Sequence, residues 1–281
     1  MSEDIRKSQI AGSWYPGKAE ALKTQIQGFL KAVPKSSGLP GELLGLIVPH
    51  AGYIYSGGVA AYAYRLLSTG SFERVVLIAP SHRYPFQGAS IDIKDGYETP
   101  LGIIRVDKDL VRKISAESPL FRYVPNGHAQ EHALEIQLPF LQEVLKDFSL
   151  VPIIQGSQDR ATCQEMARAL GKALKGHRVL LIASTDLSHF HGYNQARSLD
   201  KNILDRVGAF DESGLMSDLE QDQVEACGGG PMVTVLGTAR LLGADVSRVL
   251  QYANSGDVTG DHSGVVGYMA AAIFKSLPGN S

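Results

Sequence analysis

Three apolar runs of this 281-residue chain each lead into a histidine or an aspartate. Leu46-Ile47-Val48 runs into Pro49-His50-Ala51-Gly52-Tyr53, and Val76-Leu77-Ile78-Ala79 into Pro80-Ser81-His82. Leu180-Leu181-Ile182-Ala183 runs into Ser184-Thr185-Asp186-Leu187-Ser188-His189. Imidazole and carboxylate groups carry protons near neutral pH and ligate metals. If the runs are parallel strands, their polar ends share one rim of a sheet, the rim where open α/β sheets bind ligands. One strand-end histidine is more often a hydrogen-bonded packing residue. Three such ends indicate a site.

Two further clusters invite chemistry. Cys227 precedes Gly228-Gly229-Gly230-Pro231, and a helix is expected to begin at Met232. A cysteine beside a helix N-terminus can have a lowered thiol pKa, which makes Cys227 a candidate nucleophile or metal ligand, or else a small residue in a loop. His128-Ala129-Gln130-Glu131-His132 matches the inverted zinc-peptidase pattern H-x-x-E-H. That chemistry needs both histidines on one helical face. Asn126-Gly127 predicts a turn there and a helix from about Ala129, so His128 is expected to lie off the helix and a peptidase is disfavoured. His132 remains a candidate pocket residue. Gly57-Gly58 is expected to open the helix after the first strand, either as a ligand-approaching pair or as a plain tight turn. Cys163 falls in a helical run and is expected to be a small core residue. His177 is expected in a solvated turn, and nothing in the spacing makes His191 or His262 ligands. Asp257 and Asp261 suit turn chemistry.

The elements that must position these groups are short apolar strands at residues 43–48, 75–79, 150–154, 179–183, 246–252 and 264–269. Near-continuous apolar strands imply a sheet covered on both faces. Helical periodicity marks 19–32, 57–67, 108–117, 131–147, 158–174, 194–210 and 232–242. The alternation predicts an α/β layered fold with a largely parallel or mixed sheet. Residues 89–93 and 102–106 are expected to form an edge hairpin around Gly96 and Pro100. The only linker-like stretch, 34–41, is short, so a single domain over 1–281 is expected.

Taken in order, these residues resemble the Memo family, proteins related to the mediator of receptor-driven cell motility. The resemblance runs through Ala11-Gly12-Ser13-Trp14-Tyr15-Pro16, Pro49-His50-Ala51-Gly52-Tyr53, Pro80-Ser81-His82, Glu131-His132-Ala133-Leu134-Glu135, Ser184 to His189 and Cys227-Gly228. It implies a fold similar to class III extradiol dioxygenases of the LigB type, a mixed sheet between helical layers. It also implies that His50, His82 and Cys227 form a metal-binding set, with Asp186, His132 and His189 lining the same pocket. His189 falls where those relatives place an acid/base histidine, and Trp14 is expected at the pocket mouth. In microbes, such proteins are often encoded beside a radical-SAM protein and an AMMECR-type protein, which implies a shared pathway.

The dioxygenases use two histidines and a carboxylate on Fe(II). Here Cys227 replaces the carboxylate, and a thiolate favours copper, zinc or thiolate-ligated iron. Ring cleavage is therefore not expected. The reading is a metal-dependent redox enzyme using iron or copper on a small molecule, with zinc also fitting. The alternatives are a peptide- or ligand-binding adaptor with a vestigial metal pocket, and a zinc hydrolase. The phosphopeptide recognition implied for eukaryotic relatives finds only Arg83 near the motifs.

Composition bounds the rest. Hydrophobic residues at 44% and charged residues at 20% exclude disorder and coiled coil. A formal charge of −2 without a basic block gives no nucleic-acid footprint. No apolar run approaches the ~20 residues that span a bilayer. Met1 to Ser8 is polar, unlike a secretory signal, and two cysteines make no disulfide framework, so a cytoplasmic location is expected. A homodimer is allowed because symmetric dimers are common.

Overall fold

The register of four neighbouring strands sets the geometry of everything at their ends. In a computed structural model, described for residues 3–34, 39–69 and 72–277, the strands are β1 (Ile5–Arg6), β2 (Gly41–Val48), β3 (Arg74–Pro80), β4 (Ala89–Ile91), β5 (Gly96–Thr99) and β6 (Gly102–Val106). They continue as β7 (Phe121–Arg122), β8 (Ser149–Gln155), β9 (Leu180–Ser184), β10 (His189–His191), β11 (Val246–Asn254) and β12 (Val265–Ser276). These build a mixed 12-stranded sheet whose path runs β1-β5-β6-β8-β3-β9-β2-β12-β10, with β11 on β12 and β4 on β8 and β7.

Its centre, β6-β8-β3-β9-β2, is parallel. Val75 faces Leu180, Gly45 faces Leu181 and Val48 faces Ser184, so β3, β9 and β2 end together. His50, His82 and Asp186 each stand two residues beyond the last residue of their strand. The expected shared rim is present.

Burial explains why the central strands are apolar throughout: Val75 to Ala79 and Leu180 to Ala183 are all fully buried. Helices Arg160–Leu174 and Gly229–Leu241 pack on one another, and Gly229–Leu241 also meets β9, β2 and β3. Helix Tyr53–Tyr64 lies on β12, β11 and β2, and helix Ala19–Ala32 packs against it through Leu22, Ile26 and Leu30. Asp107 and Asp159 cap their helices by accepting the backbone N–H of Leu110 and Thr162, each at 2.9 Å.

Several expectations need correction. The hairpin is β5 with β6; residues 89–91 instead pair antiparallel with β8. The run 131–147 is two helices, His132–Glu135 and Leu138–Val144, because Pro139 has no N–H to continue the first. Gly57 and Gly58 lie inside helix Tyr53–Tyr64, and a Cβ at Gly57 would come within 2.6 Å of Phe29, so this glycine serves helix packing. Helix Glu212–Glu220, capped by Asp211, was not foreseen. The linker-like stretch 34–41 falls partly outside the described residues, which omit 35–38.

Candidate metal centre

His50, His82 and His132 meet at the strand-end rim, with one donor atom from each lying within 4.8 Å of the others. The ring centroids are 5.0 Å apart for His50 and His82, 5.5 Å for His50 and His132, and 4.6 Å for His82 and His132. Burial, followed by the charge of neighbouring histidines, pushes His50 well below its ordinary pKa and His132 down to about 3. Both are neutral imidazoles at neutral pH, the form that ligates metal.

The hydrogen-bond network assigns two tautomers. The Ser184 Oγ oxygen donates its one proton to the Ala133 carbonyl at 2.6 Å and accepts from Gln137 Nε2 at 2.8 Å. His50 Nδ1, 3.1 Å from that oxygen, must therefore carry a proton and donate. Its Nε2 keeps the lone pair. Glu131 does the same for His82: its Oε1 accepts from Nδ1 at 2.9 Å and its Oε2 from the His82 backbone N–H at 2.7 Å. Burial would raise the Glu131 carboxyl, but the His82 hydrogen bond, its charge and the Ala133 and His82 N–H groups hold it at about 2.

Cys227 reaches the group through His50. Its Sγ is 3.1 Å from His50 Nε2 and accepts the Asp186 N–H at 3.3 Å. Gly228, the cap of helix Gly229–Leu241, brings it there: a Cβ at Gly228 would lie 2.4 Å from the Ser184 carbonyl oxygen. The expected lowering of the thiol pKa is overturned. Burial, then the Asp186 carboxylate, pushes it up instead.

The three histidines line a cavity of about 620 Å³ together with Asp186 and His189. Asp186 Oδ1 accepts the His50 N–H at 2.7 Å, and burial raises its carboxyl to about 6 against the lowering by that N–H and by His189. The outer wall is the segment 12–16, with the Trp14 ring 4.3 Å from that of His132, tilted at 43° to it, as expected at the mouth. Glu135, fully buried, fastens this segment: Arg6 Nη1, Ser8 Oγ, Tyr15 Oη and the N–H groups of Gln9 and Ile10 all donate to it.

His128 does not join. It sits in helix Pro125–Ala129, held by Tyr97 Oη at 3.1 Å and Ser90 Oγ at 2.9 Å, so H-x-x-E-H is not a zinc-peptidase arrangement here. His191 pairs with Glu225, His262 stacks on Tyr193, and Cys163 is a buried helix residue. His177 is half-buried beside Arg74, more enclosed than a solvated turn. The sequence reading gave no role to Glu131 as a support for His82, nor to Ser184 and Gln137. A polar residue in or beside a strand-end motif was the available signal.

The donor set fits a divalent or monovalent transition metal. Two imidazoles have Nε2 lone pairs fixed by partners behind them, and His132 Nδ1 is a buried atom with no hydrogen-bond partner.

Sheet, helical layers and strand-end cavity define an α/β protein with a histidine-lined pocket, consistent with the LigB-type fold that the resemblance implies. The chain belongs to the Memo family: residues 6–272 match the family described as Memo-like protein. It is 35% identical over 272 residues to a MEMO1 family protein of Methanothermobacter thermautotrophicus, covering 94% of this chain and 98% of that one. A MEMO1 family protein of Methanopyrus kandleri is 33% identical over 280 residues, covering 96% and 99%. An uncharacterized protein from Escherichia coli K12 shares the fold, with a TM-score of 0.58 and 14% identity over 83% of this chain and all of that one. No helix among the described residues is long and apolar enough to cross a membrane.

Proposed function

We propose that the chain is a metal-dependent enzyme that acts on a small molecule at this cavity, with iron or copper supporting redox chemistry. The observation that carries the reading is the convergence of three imidazoles, two of them with fixed tautomers, on the wall of a 620 Å³ cavity. His50 and His82 would hold the metal first, with Cys227, beside His50, and His132 as further donors. A bound iron or copper supplies one-electron chemistry and Lewis acidity. Asp186, with its carboxyl at about 6, takes a proton at its oxygens near neutral pH, and His189 faces the same space.

A zinc hydrolase is the second reading, favoured by the all-imidazole group, since three histidines suit catalytic zinc as well as they suit iron or copper. An adaptor for phosphate-bearing peptides has less support, because no arginine or lysine is among the cavity-lining residues described.

The test is metal content with EPR on protein purified anaerobically, alongside His82→Ala and Cys227→Ser. Near-stoichiometric iron or copper, lost in His82→Ala with the fold intact, is the expected result. Stoichiometric zinc promotes the hydrolase. A metal-free protein in every preparation overturns both.

A further inference from the structure

Cys227 is followed by three glycines, which offer no side chain to anchor the backbone that carries it. Gly228 caps helix Gly229–Leu241 without a side-chain hydrogen bond, so the first amides of that helix need partners from elsewhere. Gln158 supplies one. It stands between β8 and helix Arg160–Leu174, beside Asp159, whose carboxylate accepts from the Thr162 N–H and hydroxyl. Gln158 Nε2 donates to the Cys227 carbonyl at 2.9 Å, and its Oε1 accepts the Gly230 N–H at 2.7 Å. An acceptor at one end and a donor at the other fix which way the amide points. Among the described residues, these are two of the three side-chain bonds to the backbone of residues 227–230. The third joins the Gly228 N–H to Thr185 Oγ1 at 3.0 Å.

We infer that Gln158 is a positioning residue: its amide clamps the turn that carries Cys227 and holds the sulfur against His50, where it joins the metal. The inference rests on the metal reading, in which Cys227 Sγ, 3.1 Å from His50 Nε2, is one of the donors. Only an amide serves both ends of the clamp. A glutamate at this position still accepts the Gly230 N–H at the start of the helix, but sets its other oxygen against the Cys227 carbonyl. Gln158→Glu therefore keeps the helix bond and loses the cysteine's, which separates a cap from a clamp.

The experiment has two arms. In the first, cobalt(II) is titrated into metal-free protein without oxygen, and the thiolate-to-cobalt charge-transfer band is read in the near ultraviolet. Wild type is expected to show the band and Cys227→Ser to lack it. Gln158→Leu and Gln158→Glu are expected to lose most of it while still binding cobalt through the histidines, about tenfold more weakly. A wild type without the band, or a band of equal strength in both Gln158 variants, overturns the inference. If Gln158→Leu does not fold, Gln158→Glu decides alone.

In the second arm, metal-free protein is alkylated with iodoacetamide and the modified cysteine is identified by mass. Gln158→Leu is expected to react at Cys227 about tenfold faster than wild type, the scale of the hydrogen bonds lost. The buried Cys163 is expected to stay protected, which marks the fold as intact. Protein that takes up no cobalt fails the metal reading, and this arm then judges the clamp by itself. An unchanged rate at Cys227 overturns it.

Discussion

Glu131 grips His82 twice, at the backbone N–H and at ring Nδ1, with one oxygen for each. That double hold fixes both where His82 sits and which ring nitrogen is free. Glu131→Gln keeps the shape but loses the full negative charge. It is expected to weaken metal binding about 10–100-fold while leaving the fold intact, the usual effect of removing a support behind a ligand. Competition with a chromophoric chelator measures it. Ser184→Ala, which frees the His50 tautomer, is expected to weaken binding in the same direction. Unchanged affinity in both variants would contradict the tautomer assignment.

Trp14 is the only tryptophan in the chain, and its ring lies 4.3 Å from that of His132. Its fluorescence therefore reports on the site without a label. Copper(II) is expected to quench it strongly and zinc only weakly, because only the open-shell ion opens an electron- or energy-transfer route. His132→Ala is expected to reduce the copper effect. A steady-state titration with both ions decides this.

Glu135 holds the wall segment through five donating groups, one of them the buried Arg6 guanidinium. Glu135→Ala strands that charge and is expected to cost about 3–5 kcal/mol in urea unfolding. Glu135→Gln is milder and is expected to speed removal of bound metal by a chelator, since the wall would open more often. Stripping kinetics equal to wild type would mean the segment does not gate the cavity.

His128 gives a pH dependence away from the metal centre. Burial lowers it from 6.5 to about 4, against the raising effect of Asp92. Between those values the unfolded chain binds a proton that the folded chain refuses, so stability falls as pH drops from about 6.5 to about 4. The loss reaches about 3 kcal/mol at the lower end. Unfolding curves at pH 7 and pH 4.5 should show a shallower decline for His128→Asn than for wild type.

The strand ends were legible because period and composition place a strand boundary well, and His50, His82 and Asp186 each follow one directly. Parallel register then brought them together, as the alternation of strands and helices implied. What the sequence could not convey was tertiary. The approach of His132 to His82 follows from a short helix that begins at His132 behind the Glu131 cap, where the sequence pattern showed only one longer helix from 131 to 147. The resemblance put Cys227 with His50, and the structure does bring them into contact; the thiol's raised pKa follows from burial, which helix position alone does not reveal. β12 runs to Ser276, seven residues past the expected end at Met269; pairing with β2 and β11 carries it through Ala270-Ala271-Ala272, residues with little strand preference of their own.

That long strand, laid between β2 and β11, has a consequence for synthesis. β2 is made among the first elements and β12 last among those described, yet they are partners from Gly41 to Ile47. A nascent chain emerging from the ribosome must carry the open, largely apolar edge of β2 through more than two hundred residues of translation before its neighbour exists. Premature termination anywhere before residue 265 would leave that edge, and β11, free to recruit other chains. Quality control of this protein therefore turns on β12, whose first residues also wall the cavity at Val266 and Tyr268.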